Sequence, residues 1–222
     1  MKDFTLYDVL GVLAPGTVVT VGVVTLYPET AALLTQKEFS VGDFGLIVLV
    51  SYVVGNLTAA LGNFLETPYW KIRGGNPTER ARKRRSAVLT AREQEAVQNK
   101  LRTLEMIGAL EEIGSLKSAD WRSLCRRLYT YVEARAMTRR IDIFNAQYGM
   151  NRGIAAGFVV LIGMLILRCS FSLWRIELIL AGCASLAVYR MDRFSRYYAT
   201  ELFSQFLTAA PPIVEKSEGA GE

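Results

Sequence analysis

Charged residues along this chain are interrupted by four long apolar stretches. Val9–Tyr27 runs 19 residues, and Phe44–Leu65 runs 22, without Asp, Glu, Lys or Arg. A helix crosses a hydrocarbon core of roughly 30 Å with about 20 apolar residues. Each stretch is therefore long enough for one span. Gly153–Leu167 has 15 uncharged residues, and Ile176–Tyr189 has 14 residues that include Glu177. These two cross if their helices continue into the interface while Arg168 and Arg175 reach outward to water. The alternative is a re-entrant hairpin that dips in and returns. The pattern predicts an all-α membrane protein with four transmembrane helices and a cytoplasmic antiparallel helical hairpin between the second and third.

The polar middle carries its own helix signals. Asn76-Pro77-Thr78-Glu79 reads as a helix start, with Asn76 as cap, Pro77 at the first helical position and Glu79 completing a capping box. The spacing predicts one helix from about 77 to 114, ended by Gly114. A second helix starts at Ser118 and carries an apolar stripe at Trp121, Leu124, Cys125, Leu128 and Val132. A lone hairpin has little core, so its stripe is expected to meet a neighbouring subunit, a partner or the membrane surface. The resulting layout is a helix pair at 1–66, a basic hairpin at 67–152, a second pair at 153–190, an amphipathic helix at 191–208 and a disordered tail at 209–222. Pro15-Gly16 is expected to kink or break the first span.

Charge orients this layout. Eighteen of the 26 Lys and Arg residues fall in 66–152. Cytoplasmic segments near membrane ends are enriched in these residues. The middle region is thus predicted to be cytoplasmic, the 28–43 loop outside and both termini inside, as in a multi-pass protein of a bacterial inner membrane. Composition then narrows the chemistry. The chain has no histidine, which excludes His-based acid–base catalysis and His-containing triads. Cys125, Cys169 and Cys183 show no metal or redox spacing. No catalytic residue, cofactor site or metal site is read from the sequence, and the chain is expected not to be an enzyme.

Four groups of residues remain as candidates. Ser51, Tyr52, Asn56, Asn63 and Glu66 are read as an intramembrane polar face on the second span, where amides in lipid must find partners. Gly153 with Gly157, and Ala181 with Ser185, form small-xxx-small pairs suited to close helix packing. Arg80, Arg82, Lys83, Arg84 and Arg85 form a basic cytoplasmic patch that fixes topology, binds anionic lipid headgroups or takes a nucleotide ligand. Nucleic-acid binding is the weakest reading of that patch, because no aromatic interleaving accompanies it. Trp121, Leu124, Leu128 and Val132 are read as a partner-binding stripe. Arg190, Arg193 and Tyr197 share one face of the last helix, at a depth similar to Arg139, Arg140, Asp142 and Arg152, where ion pairs could couple the segments.

Tyr7-Asp8-x-Leu10-Gly11-x-Leu13-x-Pro15-Gly16, with Tyr52-x-x-Gly55-Asn56, resembles the openings of small multi-span membrane proteins encoded with bacterial phage-defence systems. The resemblance covers the first 66 residues or so. It implies a membrane sensor or effector that acts with a cytoplasmic partner. The expected function is that of a non-enzymatic, homo-oligomeric membrane protein in contact with membrane lipids. It would couple a cytoplasmic signal or protein partner to membrane permeability or recruitment, in antiviral defence. The alternative is a passive membrane anchor or scaffold for a soluble partner enzyme.

Overall fold

The computed structural model describes residues 6–27, 29–30, 41–83, 86, 88–168 and 173–210, with the backbone alone for 6–10. All regular structure among these residues is helical: α1 Leu6–Leu26, α2 Val41–Ile72, α3 Pro77–Ala81, α4 Ala91–Thr103, α5 Ser118–Glu133, α6 Arg139–Leu167 and α7 Trp174–Thr208. The chain divides into two compact units. The first comprises Met1–Pro77 and Arg140–Tyr198; the second comprises Thr78–Arg139 and the segment from Ala199 onward. Residues up to Tyr198 of α7 belong to the first unit and later ones to the second.

In the first unit, α2 and α6 are long and apolar enough to cross a membrane, with mean hydropathy of 2.0 and 1.9 over their most apolar stretches. Helix α1 runs unbroken through Pro15, which is fully buried, so the expected break does not occur. Small residues set the packing. A Cβ on Gly16 would overlap the Ser51 carbonyl and lie 2.7 Å from Gly55 N, and one on Gly55 would overlap the Val12 carbonyl. Helices α1 and α2 therefore touch backbone to backbone, in antiparallel register. Gly153 meets Pro15, and a Cβ on Gly157 would lie 2.9 Å from Val19 Cγ2. Further along, Gly22 meets Leu161, so α1 and α6 run parallel. At the end of that seam Arg168 Nη1 donates to Leu26 O over 2.5 Å, a cation on the negative end of α1.

The second unit has its own core. Val97 and Leu101 of α4, Trp121, Leu128 and Val132 of α5, and Ala199, Leu202, Phe203 and Phe206 of α7 are all fully buried. Trp121 stacks on Phe203 with centroids 5.9 Å apart, and Tyr131 meets Phe206 edge-on at 5.6 Å. The expected helix over 77–114 is instead two helices, α3 and α4, and the described residues between them (82–83, 86 and 88–90) are not helical. The run of like charges at 80–85 disfavours continued helix. Ser86 also offers its hydroxyl to the amides of Val88 (3.0 Å) and Leu89 (3.3 Å), a local alternative to the helical bond. The capping box proves to be Thr90–Glu93, where Thr90 Oγ1 accepts from Glu93 N and the Glu93 carboxylate accepts from Thr90 N at 2.7 Å. That exchange holds the Glu93 carboxyl below its ordinary value.

Helix α4 ends well before Gly114. Met106 N donates to Leu101 O and Glu105 N to Arg102 O, each at 2.9 Å, and Glu105 takes a φ of 52°. This is a Schellman ending without glycine. Helix α5 ends alike, with Ala136 at φ 56° and Met137 N donating to Val132 O.

Candidate functional site

Helix α2 continues past its apolar run to Ile72, so Glu66 and Trp70 occupy successive turns of one face, and Arg73 follows just past its end. Antiparallel to it, α6 presents Tyr148 and Arg152 one turn apart just before its own apolar run. Arg152 Nη1 lies 3.1 Å from Glu66 Oε2, and each side chain is only 20% exposed. The Tyr148 hydroxyl donates to the same carboxylate oxygen, and Trp70 Nε1 lies 3.4 Å from the Tyr148 hydroxyl. The Arg152 guanidinium carbon sits 5.4 Å from the Tyr148 ring centroid. A second ion-pair centre lies on α7 of this unit. Buried Asp192 receives Arg196 at 3.0 Å and Arg73 at 3.4 Å.

These groups gather at one end of the apolar helices, and Tyr27 and Arg168 mark the other. From Arg152 to Arg168 is about 24 Å along α6 at 1.5 Å per residue. That is some 6 Å less than a hydrocarbon core, a gap that flexible arginines bridge. The cluster holds its carboxylate with a guanidinium and a phenol, and no nucleophile–base pair is built there. Among the described residues no group of three or more Cys, Asp or Glu could hold a metal ion.

The sequence-predicted residues fare unequally. Ser51 is buried at the α1 crossing, and its hydroxyl has no hydrogen-bond partner among the described residues. Glu66 is in the cluster. Tyr52, Asn56 and Asn63 point away from the chain's own helices, and Asn56 Nδ2 donates to Tyr52 O within α2 at 2.9 Å. The face that packs is Ser51, Gly55, Thr58, Gly62 and Trp70 instead. Its signal in the sequence was the four-residue spacing of small side chains, which the asparagines outweighed. Gly153 and Gly157 pack as expected of such a pair, against α1. Ala181 and Ser185 are exposed, and Ser185 Oγ donates to Ala181 O within the helix.

The basic patch and the stripe need correction. Arg82 is an internal residue: it donates to Leu116 O, to Ser118 Oγ at 2.9 Å and to Glu79 Oε2 at 3.3 Å. Glu79 thereby serves this network rather than a capping box. Ser118 is the first residue of α5, not its cap. Arg80 is largely covered and Lys83 exposed, while Arg84 and Arg85 lie outside the described residues, as do residues 211–222 of the tail. Trp121, Leu124, Leu128 and Val132 are buried within the chain, because the end of α7 supplies the partner surface that a lone hairpin would lack.

Sequence reasoning missed the clamp on that end. Lys100 Nζ donates to Leu207 O at 3.1 Å and to Ala209 O; the Tyr131 hydroxyl and Arg135 Nε donate to Ala210 O at 2.8 and 3.0 Å. Cations and donors meet the unpaired carbonyls at the negative end of a helix. Burial, and next the charge of Arg135, push the Lys100 ammonium below its ordinary value. No protein-family model, curated protein or solved structure matches the chain.

Proposed function

We propose that the chain is a non-enzymatic integral membrane protein with four spans. Its second unit would receive a cytoplasmic signal or protein partner and pass it to the spans along α7. The proposed setting is a bacterial inner membrane with both termini inside, in a homo-oligomer, and the resemblance of residues 1–66 extends the proposal to antiviral defence.

The observation that carries the membrane reading is the outside of the first unit. Phe64 is 78% exposed, Leu57 67%, Ile179 64% and Leu186 60%, on two different helices. Large apolar side chains this exposed, repeated along two long helices, are a liability in water and suit lipid. Coupling is supported by α7 itself, whose early residues carry that outward apolar surface and whose last two turns fill the core of the second unit. Oligomerisation is supported by the exposed amides of Asn56 and Asn63: Asn56 satisfies one donor on Tyr52 O of its own helix, and the amide groups left over favour polar partners over lipid.

Alkaline carbonate extraction with protease protection of terminal tags tests the first part. Retention in the pellet with both tags on the cytoplasmic side is expected, and release into the aqueous phase overturns the membrane reading. Native mass spectrometry of the detergent-solubilised protein tests the second. A defined oligomer is expected. A monomer overturns the oligomeric sensor and leaves the anchor.

A further inference from the structure

We propose that the outward face of α7 just beyond its apolar stretch is a binding site for the anionic headgroup of a phospholipid, built from Arg190, Arg193 and Tyr197. This rests on the membrane reading above. At 100° per residue, Ile179, Leu186, Arg190, Arg193 and Tyr197 fall within an arc of about 60°. All five are exposed. One continuous stripe therefore changes from aliphatic to basic and aromatic at residue 190, where the uncharged stretch ends. In a membrane that change falls at the headgroup layer, where aromatic residues and arginines anchor.

The arginines are held ready for an anion. The Arg190 guanidinium carbon lies 5.6 Å from the Phe194 ring centroid, and that of Arg193 lies 5.4 Å from the Tyr197 centroid. Arg193 Nε also donates to the Tyr197 hydroxyl at 2.7 Å. Phe144 of α6 closes the platform, 6.4 Å from Phe194 and 5.5 Å from Tyr197, with Arg140 over its ring at 5.8 Å. Among the described residues neither Arg190 nor Arg193 has a carboxylate within 4.0 Å, while nearby Asp192 is engaged by Arg73 and Arg196. A planar guanidinium laid on a ring, with its terminal N–H groups outward, suits a phosphate oxygen. Continuity with the aliphatic stripe selects a lipid over a soluble phosphate or nucleic acid, neither of which gains from apolar surface next to its site. Arg82, the centre of the basic run at 80–85, spends its donors internally and is not an alternative.

The test uses the full chain in nanodiscs of phosphatidylcholine doped with phosphatidylglycerol, with retained lipid counted by native mass spectrometry. Wild type is expected to retain phosphatidylglycerol over phosphatidylcholine and to keep it in the presence of inorganic phosphate. R190Q/R193Q is expected to lower that retention about thirtyfold, near fivefold per charge. R190K/R193K should recover part of it, and R92Q on exposed α4 should change nothing. Equal retention by wild type and R190Q/R193Q overturns the site. So does equal loss in R92Q, which would mean net charge alone, or displacement by inorganic phosphate, which would mean a soluble anion. Failure of the membrane reading shows separately, as protein that carbonate extracts without detergent.

Discussion

Replacing Phe203 with alanine tests whether the end of α7 completes the second unit. Phe203 is fully buried and stacks on Trp121, itself fully buried, at 5.9 Å and 22° between planes. Removing a buried phenyl ring costs about 3–5 kcal/mol, through lost transfer energy and the cavity left behind. Loss of the aromatic pair makes up about 0.5–1.5 kcal/mol of that cost. A unit of this size has a total stability on the order of 4–11 kcal/mol. Phe203→Ala should therefore leave the unit marginal while the first unit stays assembled. Amide hydrogen exchange of the detergent-solubilised chain reads this locally. Peptides from Ser118–Glu133 should exchange roughly a hundredfold to several thousandfold faster, at tenfold per 1.4 kcal/mol. Peptides from the apolar part of α6 should be unchanged. Leu110→Ala, at a side chain 96% exposed, is the control and should leave both unchanged. Exchange of α5 within tenfold of wild type in Phe203→Ala would refute the argument, because α5 would then be held by something other than α7.

Three further outcomes follow from the geometry. Glu66→Gln leaves Arg152 half-buried without its carboxylate and should cost about 1–3 kcal/mol; a double-mutant cycle with Arg152→Met, read by thermal unfolding, should show coupling, and strict additivity would remove the pair from the account. Ala136→Gly relieves a left-handed φ that costs an L-residue roughly 1–2 kcal/mol, offset by about 0.5–1 kcal/mol of unfolded-chain entropy, so the second unit should gain up to about 1.5 kcal/mol; a loss would contradict the Schellman ending. Burial, and then the charge of Glu79, raise the Cys125 thiol to about 12. The folded value lies above the unfolded one, so its stabilising contribution is present below pH 9 and is lost as pH rises toward 12. At pH 8 Cys125 should react with a thiol reagent roughly a thousandfold more slowly in the folded protein than in urea, as measured by mass spectrometry of the labelled peptide.

What was legible in the sequence was whatever depends on run length. Apolar runs without charge mark α2 and α6, and the Gly153/Gly157 spacing marks the seam with α1, since a missing side chain is itself the packing feature. Less legible was anything that depends on which helix lies opposite. Asn56 and Asn63 look like the functional face of α2, but among the described residues their amides have no partner on α1, whereas Gly55 admits the Val12 carbonyl. The α5 stripe read as a docking surface because its true partner, Leu202 to Phe206, lies far along the chain, beyond two apolar segments. The Schellman endings were invisible because Glu105 and Ala136 stand where glycine is the usual signal. Arg82 read as surface charge because a carbonyl acceptor such as Leu116 O leaves no mark in a sequence.

The assembly of the second unit from a middle segment and the end of α7 also governs biosynthesis. Translation delivers Trp121 to Val132 first. Roughly seventy more residues follow before Phe203, which at about 5–20 residues per second is about 4–14 s. For that interval the α5 stripe lacks the cover that α7 later gives it, and two apolar segments are made before that cover arrives. A chain cut before Ala199 would carry every apolar segment and leave the α5 stripe without the side chains that cover it. Such a chain would be recognised by chaperones and proteases. Closure of the second unit's core thus waits on the end of α7.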